Sequence, residues 1–172
     1  MTDPPVSVTV ALARVDWLET LAAGDDEFTA RFGLAVEPDW IGFPESLPAA
    51  LEGARRRPND PWGTHLFFDD ADGALVGFGG YKGVPHGGEV EIGYAVAPTR
   101  QGRGIAPAAV AVLVDRARSA GVTTVSAHTL AADNPSTAVL RKAGFHRVAE
   151  VRDADLDVIW RWELPLRPAP AN

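Results

Sequence analysis

Residues 97–118, APTRQGRGIAPAAVAVLVDRAR, pass from turn formers through Gly-Arg-Gly into an apolar run without a break. A helix starting near Gly104 presents unpaired backbone N–H groups and the positive end of its dipole, which together favour an anion. Gly102 and Gly104 lack Cβ atoms, so the backbone turns freely there and an anion can come close. Pro107 costs little in a first turn, where its missing N–H has no intrahelical partner anyway. Arg100 and Arg103 add positive charge. Downstream, Ile105, Ala109, Val112 and Leu113 share one face, which Val110 and Val114 widen, so the helix is expected to be buried. Two phosphate-loop readings fail here. A Walker A loop needs Gly-Lys-Ser/Thr, but Ile105 follows Gly104. A dinucleotide fingerprint needs a small residue where Pro107 stands, and no acidic strand end lies about 20 residues further on. A plain glycine turn is the bland alternative for an isolated Gly-x-Gly; the strand before it and the helix after it favour the anion site.

The flanks set the fold. GEVEIGYAV, residues 88–96, alternates as a strand with Val90, Ile92 and Tyr94 on one face and Glu91, Gly93 and Ala95 on the other. Upstream, THLFFDD and ALVGFGGYKG flank Ala71, Asp72 and Gly73, a hairpin signal. VSVTVALAR (6–14) reads as a strand. Asp16 and Glu19 have capping-box spacing ahead of one broken or two short helices, and SLPAALEGARRR (46–57) gives another whose arginines are read as a solvated end. Downstream come VTTVSAHTL (122–130) as a strand, NPSTAVLRKAGF as a short helix ended by Gly144, and HRVAEVRD with DVIWRWEL as an antiparallel pair. The order is β, helices, βββ, α, β, α, ββ. The helical crossover makes the strands before and after it parallel, inside a mixed, mostly antiparallel sheet. The expectation is an α/β chain of the α+β type, with a six- to seven-stranded sheet flanked by helices. Residues 1–172 are read as one domain, with 166–172 a frayed proline-rich tail.

At 172 residues, 46% hydrophobic and 23% charged, the chain can bury a full core. A formal charge of −7 argues against nucleic acid, which needs clustered Lys and Arg, and mildly suits cationic partners. The absence of cysteine excludes disulfides and cysteine nucleophiles. MTDPPVSVTV lacks the pattern of a signal peptide, and no apolar run reaches the roughly 18 residues of a membrane span. The expected location is cytoplasmic. His65, His86, His128 and His146 show no metal spacing and are read as structural; no metal is assigned. Trp40 or Trp62 is a candidate for lining an acceptor pocket.

Gln101-Gly102-Arg103-Gly104-Ile105-Ala106 fits the Gln/Arg-x-x-Gly-x-Gly/Ala signature, and the sequence thereby resembles the GNAT superfamily of N-acetyltransferases. VEIGYAVAPT resembles their fourth strand, and NPSTAVLRKAGF their second cofactor motif. The run EIGYAVAPTRQGRG and the ending WRWEL are most similar to the ribosomal-protein N-terminal acetyltransferase (Rim-type) branch. The likeness covers residues 6–164, with the specific motifs in 89–117 and 133–145. It implies that backbone N–H groups from Gln101 to Ala106 cradle the pyrophosphate of acetyl-CoA, the co-substrate, and that the strand ending at Val96 and Ala97 pairs with the pantetheine arm. Asn134, with Ser136 close by, matches a cofactor-contacting asparagine. Counted back from Gly144 and Phe145, however, that register falls on Asp133, and helix capping is the competing role for Asn134.

The same resemblance implies an N-acetyltransferase that moves an acetyl group directly to a primary amine within a ternary complex. The amine is a protein N-terminus or a small molecule. Glu91 matches the general-base glutamate of several members. Leu140 stands where many carry a tyrosine acid, followed by Arg141; water or Tyr81 is left to protonate the thiolate, since Tyr94 faces away from Glu91. The expected partners are acetyl-CoA and the amine, with a second copy of the chain admitted as a further one and nucleic acid and membrane excluded. A catalytically idle acyl-CoA-binding module is the alternative.

Overall fold

The computed structural model describes residues 5–167. Their elements are β1 (Val8–Leu12), α1 (Val15–Ala23), α2 (Asp25–Phe32), α3 (Ser46–Arg56), β2 (Thr64–Asp69), β3 (Leu75–Tyr81), β4 (Glu89–Val96), a 3-10 turn (Pro98–Arg100), α4 (Ile105–Ser119), β5 (Thr124–Leu130), α5 (Pro135–Lys142), β6 (His146–Asp153) and β7 (Asp157–Pro165). The seven strands among the described residues follow the order β1-β2-β3-β4-β5-β7-β6. β1–β2, β2–β3, β5–β7 and β6–β7 are antiparallel. β4 and β5, joined through α4, are parallel, with Glu89 opposite Thr124 and Glu91 opposite Ser126. The expected mixed, mostly antiparallel sheet with helices is therefore the fold.

The chain forms two compact units. One holds the residues up to Gly80 together with Tyr94–Ala109. Its core cluster includes Leu18, Leu21, Phe28, Leu66, Phe68, Leu75 and the fully buried Ala97. Trp40 belongs to this core at 3% exposure. Its Nε1 donates to Asp25 Oδ1 at 3.2 Å and its ring meets Phe78 edge-on. Burial on this scale corrects the idea of Trp40 as a pocket wall, because an indole packed this deeply has no face left for a ligand.

The helical stretch after β1 divides at Gly24, whose φ of 149° an L side chain rarely adopts. The expected Asp16–Glu19 capping box does not form. Arg14 is the N-cap residue and Asp16 lies inside the first turn, where Arg14 Nε donates to it at 2.9 Å. Glu19 is drawn away by Arg55 at 2.7 Å. In the hairpin between β2 and β3, Gly73 takes φ 74° and donates to the Asp69 carbonyl at 2.7 Å, as the Asp-Gly signal requires.

The other unit holds Tyr81–Gly93 and the chain from Val110 onward. Its apolar positions at Val90, Ile92, Val110, Leu113, Val125, Leu140 and Trp162 are buried. The tail is corrected at its start. Leu166 is 8% exposed and its N–H donates to the Thr123 carbonyl at 2.8 Å, so the chain is held to that point. Residues 168–172 of the expected frayed tail lie outside the described residues.

Candidate functional site

In the first unit, Val96 ends β4 and Ala97 follows it fully buried, its N–H bonded to the Val76 carbonyl at 2.8 Å. A single 3-10 turn then reverses the chain, closed by Arg100 N–H on Ala97 at 2.9 Å and Gln101 N–H on Pro98 at 3.3 Å. Gln101 Nε2 reaches back to the Val96 carbonyl at 3.1 Å, tying the loop to the strand end. Gly102 and Gly104 take φ values of 74° and 85°. A Cβ at Gly102 would meet nothing within 4 Å, so that glycine is required by backbone conformation alone. The first bond of the α4 ladder runs from Ala108 N–H to Gly104 C=O at 3.1 Å. The N–H groups of Ile105 and Ala106 therefore precede the ladder. Gln101, Gly102 and Arg103 are exposed while Ile105 is buried, so the loop faces outward on an anchored helix. Two positive-φ glycines thus lie beside helix-start donors, an arrangement that in general favours an anion.

Arg100 has a different role from Arg103. Its Nε donates to Glu37 Oε2 at 2.9 Å, Nη1 to Asp69 at 3.0 Å and Nη2 to Asp72 at 2.8 Å. The expected contribution of Arg100 to an anion site is thus corrected: three carboxylates already occupy its guanidinium, and its own pKa is driven upward, chiefly by Asp72 and Glu37. It anchors the loop to the β2–β3 turn.

In the second unit, Glu91 projects from β4 with its side chain one-quarter exposed. Lys82 Nζ lies 2.6 Å from Glu91 Oε1, and His128 Nδ1 lies 2.9 Å from the same oxygen. Burial pushes the Glu91 carboxyl up, but the bonds from Lys82 and His128 outweigh it and hold the group below the usual glutamate range. Two residues back on the same face, Glu89 takes Arg161 Nη2 at 2.5 Å and Ser126 Oγ at 2.8 Å. A charged strip thus crosses β4, β5 and β7. Lys82 carried no signal in the sequence, and His128, read there as structural, is here bonded to Glu91. The period-2 alternation of β5 puts Ser126 and His128 on one face, but only the strand register brings that face to Glu91.

At the start of α5, Asn134 is the N-cap. Its Oδ1 accepts the Thr137 N–H at 3.0 Å, Thr137 Oγ1 accepts the Asn134 N–H at 3.0 Å, and Asn134 Nδ2 donates to the Ala132 carbonyl at 3.1 Å. Ser136 follows in the first turn. Asp133, the alternative register, pairs with Arg141 at 2.8 Å. Leu140 is fully buried, and Tyr81 is 7% exposed with its hydroxyl donating to the Leu113 carbonyl at 2.7 Å. Burial pushes the Tyr81 phenol up to about 12, so it serves as a clamp on α4. Among the described residues no group of three or more His, Asp or Glu is arranged to hold a metal, and no helix is long and apolar enough to cross a membrane.

The acetyltransferase (GNAT) family model matches residues 24–145, a stretch running through both units, and the chain belongs to that family. It is by class an N-acetyltransferase with acetyl-CoA as co-substrate. No curated protein matches the sequence. Among solved structures, the chain is similar to a ribosomal-protein-alanine N-acetyltransferase from Brucella melitensis, with 20% identity, TM-score 0.62, and 92% of this chain and 99% of that one covered. The ribosomal L7/L12 α-N-protein acetyltransferase RimL gives 16% identity and TM-score 0.69, over 94% and 93% of the two chains. A phosphinothricin acetyltransferase from Sinorhizobium meliloti, in complex with acetyl-CoA, gives 19% and 0.65, over 95% and 89%. At these identities the likeness speaks for the fold.

Proposed function

We propose that this protein transfers the acetyl group of acetyl-CoA directly to a primary amine in a ternary complex, and that residues 1–172 work as one acetyltransferase domain. The observation that carries this is one continuous stretch: the strand bearing the ionised Glu91 leads straight into the glycine cradle at the head of α4. Acetyl-CoA supplies an activated thioester carbonyl. Backbone N–H groups from Gly102 to Ala106 hold its pyrophosphate, with Gln101 fixing the loop, Arg103 adding charge, and Val96 and Ala97 offering the strand end to the pantetheine arm. Asn134 and Ser136 are the second-motif contacts of this reading. The cluster built on Glu91, with Lys82 and His128 bonded to it, is assigned to removing the amine's proton.

The chemistry favours an acceptor of the α-amino type. Such an amine costs only about 1 kcal/mol to neutralise at pH 7, against about 4.6 kcal/mol for a lysine-like amine. Two of its structural relatives are acetyltransferases of ribosomal proteins, which supports the same choice, and we place this chain in the Rim-type branch. Small-molecule amines stay in the test panel. A cytoplasmic location fits, because a polyanionic donor such as acetyl-CoA does not cross a bilayer unaided.

The test measures CoA release from acetyl-CoA against N-terminal peptides, amino acids, polyamines and aminoglycosides, beside thermal-shift titrations with acetyl-CoA, ATP and NAD. Turnover with at least one amine, stabilisation by acetyl-CoA alone and slow turnover by Glu91→Gln are expected. Stabilisation by acetyl-CoA without turnover of any amine would leave a binding module instead.

A further inference from the structure

We propose that the proton leaving the acceptor amine is taken by Nε2 of His128, and that Glu91 orients the imidazole instead of acting as the base itself. This rests on the acetyltransferase reading and refines its catalytic centre. Its basis is geometric. Glu91 Oε1 sits 2.9 Å from His128 Nδ1. An ionised carboxylate can only accept, so the hydrogen of that bond belongs to Nδ1 and the lone pair is left on Nε2. Among the described residues Nε2 has no hydrogen-bond partner, and the side chain is 20% exposed, open to an incoming amine.

Glu91 is poorly matched to the base role. The oxygen facing His128 also receives Lys82 Nζ at 2.6 Å. A general base works best when its own titration lies near the operating pH. A carboxyl held below the ordinary glutamate range lies far from that condition, whereas histidine is the residue type that meets it. Triads in which a carboxylate fixes an imidazole and stabilises the imidazolium formed by proton transfer follow the same logic.

The ring is held by strands and not by a loop. His128 lies in β5, opposite Arg161 of β7, and β5 pairs on its other side with β4, which carries Glu91. The charged groups facing the ring are Glu91 and Glu89 from β4, Lys82 from the turn ahead of it, Arg161 from β7 and Asp153 from the end of β6. Arg161 is already bound to Glu89 and Glu163, and Lys82 to Glu91. The carboxylate of Glu91 is therefore the group in direct contact with a positive imidazole. In the step itself one N–H bond of the acceptor ammonium breaks and the Nε2–H bond forms. The electron pair stays on the acceptor nitrogen, free to attack the thioester, and the imidazolium returns its proton to solvent.

Two readouts on the full chain test this. In the first, imidazole nitrogen spectra of ¹⁵N-histidine-labelled protein identify His128 as the resonance lost in His128→Gln. The Nδ1–H tautomer is expected in the wild type at alkaline pH, changing to Nε2–H in Glu91→Gln; Nε2–H in the wild type overturns the proposal. In the second, kcat/KM is measured from pH 6 to 9 with acetyl-CoA and a peptide bearing a free N-terminal alanine. His128→Gln should lower kcat roughly 100-fold at pH 7 with the KM for acetyl-CoA unchanged, and the deficit should close above the pKa of the amine, near 8. Full activity in His128→Gln alongside a large loss in Glu91→Gln returns the base role to Glu91 and overturns the proposal alone. A wild type that turns over no amine removes the acetyltransferase reading and this assignment together. If His128→Gln fails to fold, His128→Asn supplies the resonance assignment, and the tautomer of His128 in wild type and Glu91→Gln decides.

Discussion

Arg100 Nη1 lies 3.0 Å from Asp69 Oδ2, so the residue just ahead of the glycine cradle is bonded to the end of β2. With Glu37 and Asp72 on its other nitrogens and only 13% of the side chain exposed, the guanidinium neutralises three carboxylates at once. Arg100→Ala leaves those carboxylates unpaired and should destabilise the fold by about 3 kcal/mol. The pH dependence follows from the carboxyls. Thr99 and Arg100 hold Glu37 below its ordinary range, and Arg100 with the Ala74 N–H does the same for Asp72. Lowered folded-state values give stability that is complete above the unfolded pKa, about 4, and is lost as pH falls through the folded values. Urea unfolding of wild type and variant should therefore show the widest gap near pH 7 and a narrowing gap below about pH 4.

Gly102→Ala separates conformation from packing. The added Cβ meets nothing, yet the residue must hold φ 74°, which costs about 1–2 kcal/mol for an L residue. A loop that relaxes to negative φ turns its N–H groups away from the cradle. Calorimetric titration should show acetyl-CoA binding weakened roughly tenfold, equivalent to about 1.4 kcal/mol.

The two roles of Asn134 can be told apart by two substitutions. Asn134→Ala removes the cap of α5 and should cost about 1 kcal/mol in thermal unfolding. Asn134→Asp keeps the capping oxygen and should unfold near the wild-type temperature, while losing the amide that donates to Ala132. If the residue also contacts the co-substrate, Asn134→Asp should raise the Kd for acetyl-CoA although its stability is kept.

Leu140 occupies the place of a tyrosine acid in the resembled family, but it is fully buried. Leu140→Tyr should therefore bring no gain in kcat. It should lower stability by about 1–3 kcal/mol, because the larger ring overpacks its site and the hydroxyl needs a partner. Denaturant unfolding alongside steady-state rates checks both halves.

Much of this protein was legible along the chain because the signals were local. Asp72-Gly73 made the hairpin, Gly144 with φ 91° ended α5, and the alternation of Val90 and Ile92 against Glu91 set the faces of β4. The glycine loop was equally readable, since a positive-φ glycine ahead of a helix is a property of a few consecutive residues. Local rules failed where another charge competed, near in the chain for Asp16 and distant for Glu19. Asp16 and Glu19 had capping-box spacing, yet Arg14 and Arg55 took them.

The sequence by itself determined the secondary elements, the parallel crossover and the glycine loop, because backbone conformation and hydrophobic period act over a few residues. Only the tertiary structure decided what each polar side chain does. Arg100 became an anchor, Asn134 a cap, and Lys82 and His128 partners of Glu91. The pairings of Arg100, Lys82 and His128 join residues 9 to 63 positions apart, set by strand register and burial, whereas the Asn134 cap is closed by Thr137 three positions on and was one of two roles the local sequence left open.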